Sequence, residues 1–367
     1  MKELVRILHI VTYMGRGGLE TMLMNYYRNI DRSKVQFDFL VHRDFKADYD
    51  DEIESLGGRI YRISPLNPFS LNYYKELDSF FKEHEEYKIV HVHQDCMSSI
   101  ALKVAKKNNV PIRIGHSHSS SQDKNIKYLL KLYYMKSIPT YATHLFACGK
   151  EAGDWMFSGA KYEIVNNAID TNRFKFNKEL SKKLKEEYQL QDKLVIGHVG
   201  RFNYPKNHDF LIDIFNELVK LNNDSRLVLV GSGDLEESIK EKVRTLGLED
   251  YVMFMGSRSD VNEIMQMMDV FVFPSHYEGL PVTLVEAQAS GLPIIKSNNV
   301  PDQCIMTNNV YSLSLGNTSE WANKILEVSK SFERKDTTQD IINANYDIKT
   351  NAFNLQEFYL SEVSKYE

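Results

Sequence analysis

Residues 270–296 run VFVFPSHYEGLPVTLVEAQASGLPIIK, and this stretch decides the fold. The run at 270–274 is apolar throughout and predicts a buried strand. Pro281 suits the first position of a helix and Gly291 suits its end, so a helix is predicted between them. A second short apolar run follows at 293–296. A strand, a helix and a second strand in this order form the unit of a parallel sheet with helices on its faces.

The same alternation of short apolar runs and longer amphipathic segments occupies most of the chain. A charged stretch at 177–192 interrupts it. The predicted strands are 4–11, 37–41, 60–63, 89–92, 112–115, 144–147, 194–199, 227–230, 252–255, 270–274 and 293–296. We therefore predict an α/β protein with two doubly wound, Rossmann-like domains that face each other across a cleft. The first spans 1–172 and the second 173–348, and 349–367 is predicted to form a helix that could cap either domain or pack back on the first.

The composition fits a globular protein and excludes several functional classes. The 367 residues are 43% hydrophobic, and 45 Lys and Arg stand against 50 Asp and Glu, so the net charge is −5. Nucleic-acid-binding proteins usually carry a basic excess, so we expect no nucleic acid as a partner. Cys96, Cys148 and Cys304 are far apart, which argues against disulfides and zinc. The start has no signal-peptide core and no apolar run reaches ~18 residues, so a cytoplasmic protein is expected.

Two carboxylates flank the predicted helix start in Glu278-Gly279-Leu280-Pro281-Val282-Thr283-Leu284-Val285-Glu286. The free N–H groups of Val282, Thr283 and Leu284, together with the helix dipole, would attract a phosphate. Glu278 and Glu286 could then bind two sets of sugar hydroxyls. The alternative is an acidic residue favoured by a helix start beside a solvated surface glutamate.

Basic residues follow the predicted strand at 194–199. Arg201 and Lys206 could neutralise a diphosphate there, and arginine can do so with two hydrogen bonds. The alternative is a pair of solvated surface charges. Gly231 and Arg258, which follow two further strands, are weaker candidates for lining a nucleotide pocket.

Near the start of the chain, Gly15-Arg16-Gly17-Gly18-Leu19-Glu20 lies between the first predicted strand and helix. Gly17 and Gly18 would allow the backbone to approach an anion closely, although a plain tight turn explains them equally well. The string is not G-x-G-x-x-G, and that string occurs nowhere in the chain. A dinucleotide fingerprint is therefore unsupported.

Two pairs of histidines alternate along predicted strands, His91 with His93 and His116 with His118. Alternation places both members of a pair on one face of the sheet. Such a pair can bind a metal, but no carboxylate or cysteine completes a convincing set, so no metal site is predicted. We expect His91 and His116 to be hydrogen-bonded core residues. His118, followed by three serines, is the better candidate for contacting a substrate oxygen.

A further segment, 123–138, combines basic and aromatic residues. Lys124, Lys127, Lys131 and Lys136 alternate there with tyrosines and leucines. This pattern suits a helix that lies on an anionic membrane. It suits equally an ordinary core-facing helix with a solvated lysine side.

Together these features resemble those of the retaining glycosyltransferases of family 4, which have the GT-B fold of two Rossmann-like domains. The resemblance covers nearly the whole chain and rests on the order and spacing of Gly17-Gly18-Leu19-Glu20, His93, His118, Gly200-Arg201 with Lys206, and Glu278-x7-Glu286. Asn167-Ala168-Ile169-Asp170 is similar to the family's Asn-Gly-Ile-Asp, with Ala168 in place of the glycine. Enzymes of bacterial capsular and exopolysaccharide synthesis are the most similar type.

The motifs and the resemblance assign residues to two roles. The catalytic assignments are His118, Arg201, Lys206 and Glu278. The substrate-binding assignments are Gly17, Gly18, His93, Gly231, Arg258, Gly279, Leu280, Pro281, Val282, Thr283 and Glu286. The resemblance implies that Arg201 and Lys206 hold the donor diphosphate and that Glu286 binds the nucleotide ribose. Glu278 would bind hydroxyls of the donor sugar, and His118 would contact the transferred sugar.

The implied reaction moves a hexose or N-acetylhexosamine from a nucleotide-sugar, most often a UDP-sugar, to a saccharide or lipid-linked saccharide. It retains the anomeric configuration and needs neither a metal nor a cofactor. The expected location is the cytoplasm, with contact to the inner face of the membrane as one option. Three alternatives stay open at this point: a UDP-sugar epimerase of the same architecture, a metal-dependent transferase of another fold, and a non-catalytic nucleotide-sugar-binding protein.

Overall fold

The computed structural model describes residues 4–119 and 128–366. The chain divides into two compact units. The first runs to Ala168 and resumes at Ile348, and the second spans Ile169–Asp347. These limits lie within a few residues of the boundaries predicted from the sequence, and the C-terminal helix is part of the first unit.

The described residues of the first unit form a parallel sheet with the strand order β3-β2-β1-β4-β5-β6-β7. Its strands are β1 (Val5–Val11), β2 (Val35–Val41), β3 (Ile60–Arg62), β4 (Ile89–Val92), β5 (Ile112–Ser117), β6 (His144–Ala147) and β7 (Glu163–Ile164). The chain starts at the centre, moves to one edge and then crosses to the other side. Ligands of such sheets bind beyond the carboxyl ends of the strands.

Helices connect these strands. They are α1 (Gly18–Asn29), α2 (Asp50–Ser55), α3 (Leu71–Glu83), α4 (Ser98–Lys107), α5 (Tyr128–Tyr141), α6 (Lys150–Phe157) and, from the end of the chain, α15 (Ile348–Val363). One buried core joins β1, β4 and β6 to α3, α4 and α5. The helix α15 packs against α1 and β2.

The second unit, all of which is described, has a parallel sheet in the order β10-β9-β8-β11-β12-β13. Its strands are β8 (Leu194–Val199), β9 (Ser225–Val230), β10 (Val252–Phe254), β11 (Val270–Phe273), β12 (Ile294–Ser297) and β13 (Val310–Leu313). Both sheets thus show the 3-2-1-4-5 order of a doubly wound fold, as predicted.

The helices of this unit are α7 (Thr171–Phe174), α8 (Lys178–Glu187), α9 (His208–Leu221), α10 (Glu236–Thr245), α11 (Val261–Ile264), α12 (Val282–Ala289), α13 (Thr318–Ser331) and α14 (Thr338–Asn343). The core lies between β8, β9 and β11 and the helices α9, α10 and α13, with Trp321 fully buried in it.

Three features differ from the sequence-based expectation. The strands β7 and β13 were not predicted. The charged stretch at 177–192, which interrupts the predicted alternation, contains α8, whose start is capped by the Asn177 side chain accepting from the N–H of Leu180 at 3.0 Å. The helix α12 begins at Val282, one residue after the predicted start, and Pro281 precedes it. Among the described residues, no helix is both long and apolar enough to cross a membrane.

Candidate active site

In the second unit, the loops after β8 and β11 are tied together. The loop after β8 contains a turn of 3₁₀ helix, Tyr204–Lys206. The adjacent Asn207 donates from Nδ2 to the carbonyl of Pro274 at 3.0 Å. The N–H of His276 donates to the carbonyl of Pro205 at 2.8 Å. Because β8 and β11 are neighbours in a parallel sheet, both loops leave the same edge, where ligands of this fold bind.

This arrangement brings together two of the predicted catalytic residues, Lys206 and Glu278. Lys206 Nζ lies 2.7 Å from Glu278 Oε1, and 16% and 13% of the two side chains are exposed. The same Nζ lies 4.6 Å from the centre of the Phe273 ring, within cation–π distance. The lysine is therefore a localised positive charge that an incoming phosphate could share with the carboxylate.

The start of α12 lies directly after this pair. Gly279 and Leu280 form the loop before Pro281, and Leu280 is buried. The N–H of Leu284 donates to the carbonyl of Pro281 at 3.1 Å, so it is not free as the sequence suggested. The N–H groups of Val282 and Thr283 belong to the first helical turn, where no carbonyl of the same helix can accept them. Thr283 Oγ1 is buried and has no hydrogen-bond partner within the described residues.

Glu286 is the buried carboxyl of this helix. Only 6% of the residue is exposed, and burial raises its pKa from 4.5 to about 7, while the charge of Arg173 acts in the opposite direction. Arg173 itself donates to the carbonyl of Ser259 at 3.0 Å and to Oδ1 of Asn262 at 3.2 Å. Near neutral pH a substantial fraction of the Glu286 carboxyl is protonated, so it can both donate to and accept from a hydroxyl.

The two predicted arginines differ in how firmly they are held. Arg201 is more than half exposed and makes only a long contact of 3.9 Å to Asp234. Its guanidinium can reorient toward an anion. Arg258 donates twice to the Asp260 carboxylate, at 2.6 and 2.8 Å. That contact occupies much of its guanidinium, and the predicted role of Arg258 in a nucleotide pocket stays a prediction.

Gly231 has a structural role that the sequence did not reveal. Its φ is +140°, and a Cβ there would lie 2.1 Å from the carbonyl oxygen of Gly200. The N–H of Gly200 in turn donates to the carbonyl of Val230 at 2.9 Å. A glycine at 231 therefore lets the end of β9 approach the loop that carries Arg201. This packing explains why residue 231 is a glycine, and its nucleotide contact stays a prediction.

In the first unit, Gly17 and Gly18 lie at the start of α1, after the carboxyl end of β1. A Cβ on Gly17 would lie 2.2 Å from the Glu20 carboxylate, whereas a Cβ on Gly18 would meet nothing within 4 Å. Neither residue has a positive φ. A Cβ at 17 would require only the flexible Glu20 side chain to move, and a Cβ at 18 would meet open space, so packing does not demand glycine at either position.

Five histidines, His9, His91, His93, His116 and His118, meet at the carboxyl ends of β1, β4 and β5; we call them the histidine cluster. His9 Nδ1 lies 3.0 Å from His93 Nε2, and His93 Nδ1 lies 2.9 Å from His118 Nε2. A second row joins His116 Nδ1 to His91 Nε2 at 3.0 Å and His91 Nδ1 to the hydroxyl of Tyr359 at 2.8 Å.

Burial keeps these imidazoles neutral. It lowers the pKa of His9 and His118 to about 3, and the pKa values of His91, His93 and His116 fall well below 6.5, with neighbouring histidines adding to the effect. Both ring nitrogens of His93 contact other imidazoles, and 3% of the residue is exposed. In this structure His93 orients His118, and its predicted substrate contact stays a prediction. His91 and His116 are buried and hydrogen-bonded, as expected.

Sequence reasoning missed His9 and Tyr359 as members of this cluster. His9 aligns with His91 in the register between β1 and β4, so the predicted strand order would have found it. Tyr359 lies in α15, more than 200 residues from His91 in sequence, and no local sequence pattern indicates their contact. Within the described residues, the triples His9–His91–His93 and His93–His116–His118 each bring one nitrogen per ring within 4.8 Å of the others.

The basic and aromatic segment is described only from Tyr128 onward, as α5; Lys124 and Lys127 lie outside the described residues. Leu129 and Tyr133 are 78% and 68% exposed, one helical turn apart. An ordinary core-facing helix accounts for Met135 and Ile138, which are buried. It does not account for Leu129 and Tyr133, whose apolar side chains are exposed.

Comparison with known proteins covers both units. The family described as "Glycosyl transferases group 1" matches residues 180–346, and "Glycosyltransferase Family 4" matches residues 16–173. EpsF of Bacillus subtilis (strain 168), which carries a provisional name as a glycosyltransferase, is 39% identical over 310 residues, 81% of this chain and 80% of EpsF.

A second relative and a solved structure are more distant. The UDP-Gal:alpha-D-GlcNAc-diphosphoundecaprenol alpha-1,3-galactosyltransferase of Escherichia coli is 27% identical over 276 residues, 70% of each chain. The crystal structure of Anabaena HepE in complex with UDP and glucose superposes with a TM-score of 0.82 at 18% identity, and the match covers 97% of this chain and all of HepE. This last likeness bears on the fold alone, which is the predicted GT-B fold.

Proposed function

This chain belongs to the glycosyl transferases group 1 family, and on that premise we propose the reaction that it catalyses. It transfers a hexose or N-acetylhexosamine from a UDP-sugar to a saccharide or lipid-linked saccharide during surface polysaccharide synthesis. The transfer retains the anomeric configuration and uses no metal. The contact between Lys206 and Glu278 beside the start of α12 is the observation that carries this proposal.

The leaving group is the first reason. Breaking the anomeric bond places negative charge on the departing diphosphate, and preorganised positive groups stabilise that charge most effectively. Lys206, the exposed Arg201 and the free N–H groups of Val282 and Thr283 offer such groups along the loops after β8 and β11. In this proposal they do what a divalent cation does in other transferases.

The two carboxyl groups are the second reason. A phosphate that draws Lys206 away leaves the Glu278 carboxylate needing new donors, and the hydroxyls of the donor sugar supply them. Glu286, two turns into the helix, binds the ribose hydroxyls. The phosphate engages Lys206 and the sugar engages Glu278. The two binding events are therefore coupled, because each replaces a contact of the same ion pair.

The proposed retention explains why no protein base is assigned. In a retaining transfer the acceptor attacks from the face of the leaving group, so the departing phosphate can take the acceptor's proton. Positive charge builds on the sugar ring meanwhile, as in other glycosyl transfers. His118, neutral and oriented by His93, can accept a hydrogen bond from a sugar hydroxyl.

The donor and acceptor classes take support from the relatives. The name of the E. coli relative specifies a UDP-sugar and a diphosphoundecaprenol-linked saccharide. The open apolar face of α5, with Leu129 and Tyr133, together with Phe69 and Leu71 near the start of α3, offers a surface that could meet the lipid end of such an acceptor. It would place the protein at the inner face of the membrane.

The test is a panel of UDP-sugars offered with a diphosphoundecaprenol-linked N-acetylglucosamine in the presence of EDTA. We expect one sugar to be transferred, and NMR of the product to show the donor's α configuration preserved. Isomerisation of the donor without any acceptor would identify an epimerase. Loss of all transfer in EDTA would show a metal-dependent reaction, and inversion at the anomeric carbon would contradict retention.

A further inference from the structure

The histidine cluster contains more ligating nitrogens than the proposed reaction uses. His118 is the member proposed to face a sugar, and the others lie deeper in the first unit. His116 Nδ1 is engaged by His91, but His116 Nε2 is buried and has no hydrogen-bond partner within the described residues. A buried nitrogen without a partner is costly, and it usually signals a ligand or an ordered water.

We propose that His93, His116 and His118 form a binding site for one divalent transition-metal ion of the zinc class. The ligands are Nδ1 of His93, Nε2 of His116 and Nε2 of His118. One nitrogen from each of these rings lies within 4.8 Å of one nitrogen from each of the others. Three imidazoles suit zinc, copper, nickel or cobalt, whereas magnesium and calcium prefer oxygen ligands.

The hydrogen atoms of His93 and His116 can be placed so that their proposed ligand nitrogens keep a lone pair, with the proton of His9 then on its buried Nε2, which has no hydrogen-bond partner within the described residues. His93 keeps its proton on Nε2 and donates it to His9 Nδ1 across 3.0 Å. His116 keeps its proton on Nδ1 and donates it to His91 Nε2 across 3.0 Å. His91 then donates from Nδ1 to the hydroxyl oxygen of Tyr359 across 2.8 Å. Metal-bound histidines usually donate their second ring N–H in this way, and these contacts fix the tautomers.

Only one hydrogen bond is exchanged for the ion. The 2.9 Å contact between His93 Nδ1 and His118 Nε2 must open, because two ligands of a tetrahedral zinc lie roughly 3.3 Å apart when each zinc–nitrogen bond is 2.0–2.1 Å. His118 follows the end of β5 and is partly exposed, so it can make this small movement. A water or another small ligand would complete the coordination.

A bound ion should also affect the transfer reaction. This expectation, unlike the binding itself, rests on the proposed function. The ion takes the nitrogen of His118 and holds the ring among the deeper histidines. We therefore expect zinc to inhibit transfer, while chelators leave the transfer intact. Binding itself is independent of the reaction, so it is measured without any sugar nucleotide.

The experiment is equilibrium dialysis of the full chain against zinc chloride, with metal determined by mass spectrometry. The ligand variants are His116→Gln and His118→Gln, and the controls are His84→Gln and His144→Gln, which remove histidines outside the cluster that lie near carboxylates. We expect one zinc per chain in the wild type and in both controls. We expect each ligand variant to bind at least about 100-fold more weakly, since even second-shell losses cost 10–100-fold.

Thermal melting provides the fold control. Zinc should raise the Tm of the wild type and of His84→Gln but not that of His118→Gln, because an ion that binds only the folded state stabilises it. If His116→Gln does not fold, His118→Gln decides the question. Zinc binding that persists in His118→Gln, that disappears in a control variant, or that never becomes stoichiometric in the wild type would overturn the site. If zinc binds to the wild type but does not inhibit transfer, the result would instead count against the role of His118 in transfer.

Discussion

Lys206, which we propose acts on the leaving group, is paired with Glu278 in this structure. The ammonium rests between the Glu278 carboxylate and the Phe273 ring. The sequence placed both residues in the same motif set, but it could not show that they contact each other. That contact depends on Asn207 and His276, which join two loops about 70 residues apart.

Lys206→Ala should lower kcat by about 100-fold or more, in the range found when one preorganised donor to a developing oxyanion is removed. The free energy of unfolding should fall by about 1–3 kcal/mol, because the mostly buried Glu278 carboxylate loses the charge that it is paired with. Lys185→Ala is the matched control, since Lys185 is 17% exposed and pairs with Asp269 at 2.7 Å in the same unit. Equal kcat values in the two variants would remove Lys206 from the reaction.

Glu286 makes stability depend on pH in a defined direction. In the unfolded chain this carboxyl titrates near 4.5, whereas in the fold burial raises its pKa to about 7. The folded state therefore binds more protons between these values, so this group's contribution favours folding at low pH and is lost as the pH rises through 7. The integrated effect is up to about 3 kcal/mol.

Glu286→Gln should consequently raise the Tm of the unliganded protein at pH 8 and change it little at pH 4.5. Melting curves across that range, compared with Glu263→Gln on the exposed side of the same unit, provide the measurement. A variant with the wild type's pH dependence would show that Glu286 titrates normally.

At the scale of elements, the sequence predicts strands well where they are buried on both faces. Runs such as 227–230 and 270–274 are continuously apolar because helices cover both sides of a parallel sheet. The two strands that escaped prediction are edge strands. In β7 both residues are exposed, and in β13 none is fully buried, so neither shows an apolar run.

The roles of loop residues were harder to predict because they depend on backbone groups that are distant in sequence. Gly231 follows a strand as a ligand-binding glycine would, yet its neighbour is the Gly200 carbonyl. The histidine cluster likewise needed the strand order β1-β4-β5 before His9 could be grouped with His91 and His116.

Gly231→Ala tests this packing. A Cβ at 231 would lie 2.1 Å from the Gly200 carbonyl oxygen, so the two loops must separate. Gly247→Ala is the control, because Gly247 also has a positive φ, +67°, but nothing lies within 4 Å of its Cβ position. We expect about 1 kcal/mol of destabilisation for the control and at least about 2 kcal/mol more for Gly231→Ala, measured by denaturant unfolding. Equal losses would show that the close approach has no energetic weight.

At the scale of the whole molecule, the chain returns to its first unit at its end. Tyr359 of α15 is fully buried and hydrogen-bonded to His91, while Phe353 on the same helix is 60% exposed. The periodicity of 349–367 predicted the helix but not the unit that it joins. Its apolar face would suit either sheet, and only the contacts with α1 and β2 decide.

Tyr359→Ala should therefore destabilise the first unit by about 3–5 kcal/mol, the usual cost of removing a buried aromatic ring. Phe353→Ala should change stability by less than about 0.5 kcal/mol. Hydrogen exchange followed by mass spectrometry would locate the effect, with faster exchange in β1, β2 and β4 and unchanged exchange in β8 and β9. Faster exchange confined to the second unit would contradict the assignment of α15.

The division of labour between the units is the central claim: the second unit holds the nucleotide, and Glu286 holds its ribose. The most direct test is the shift in Tm on adding UDP, GDP or ADP in EDTA, for the wild type and for Glu286→Ala. A ligand at 100 times its Kd stabilises the folded state by about 2.7 kcal/mol. We predict a shift that is largest for UDP in the wild type and absent in Glu286→Ala. An equal UDP shift in both proteins, or no shift with any nucleotide, would contradict the claim.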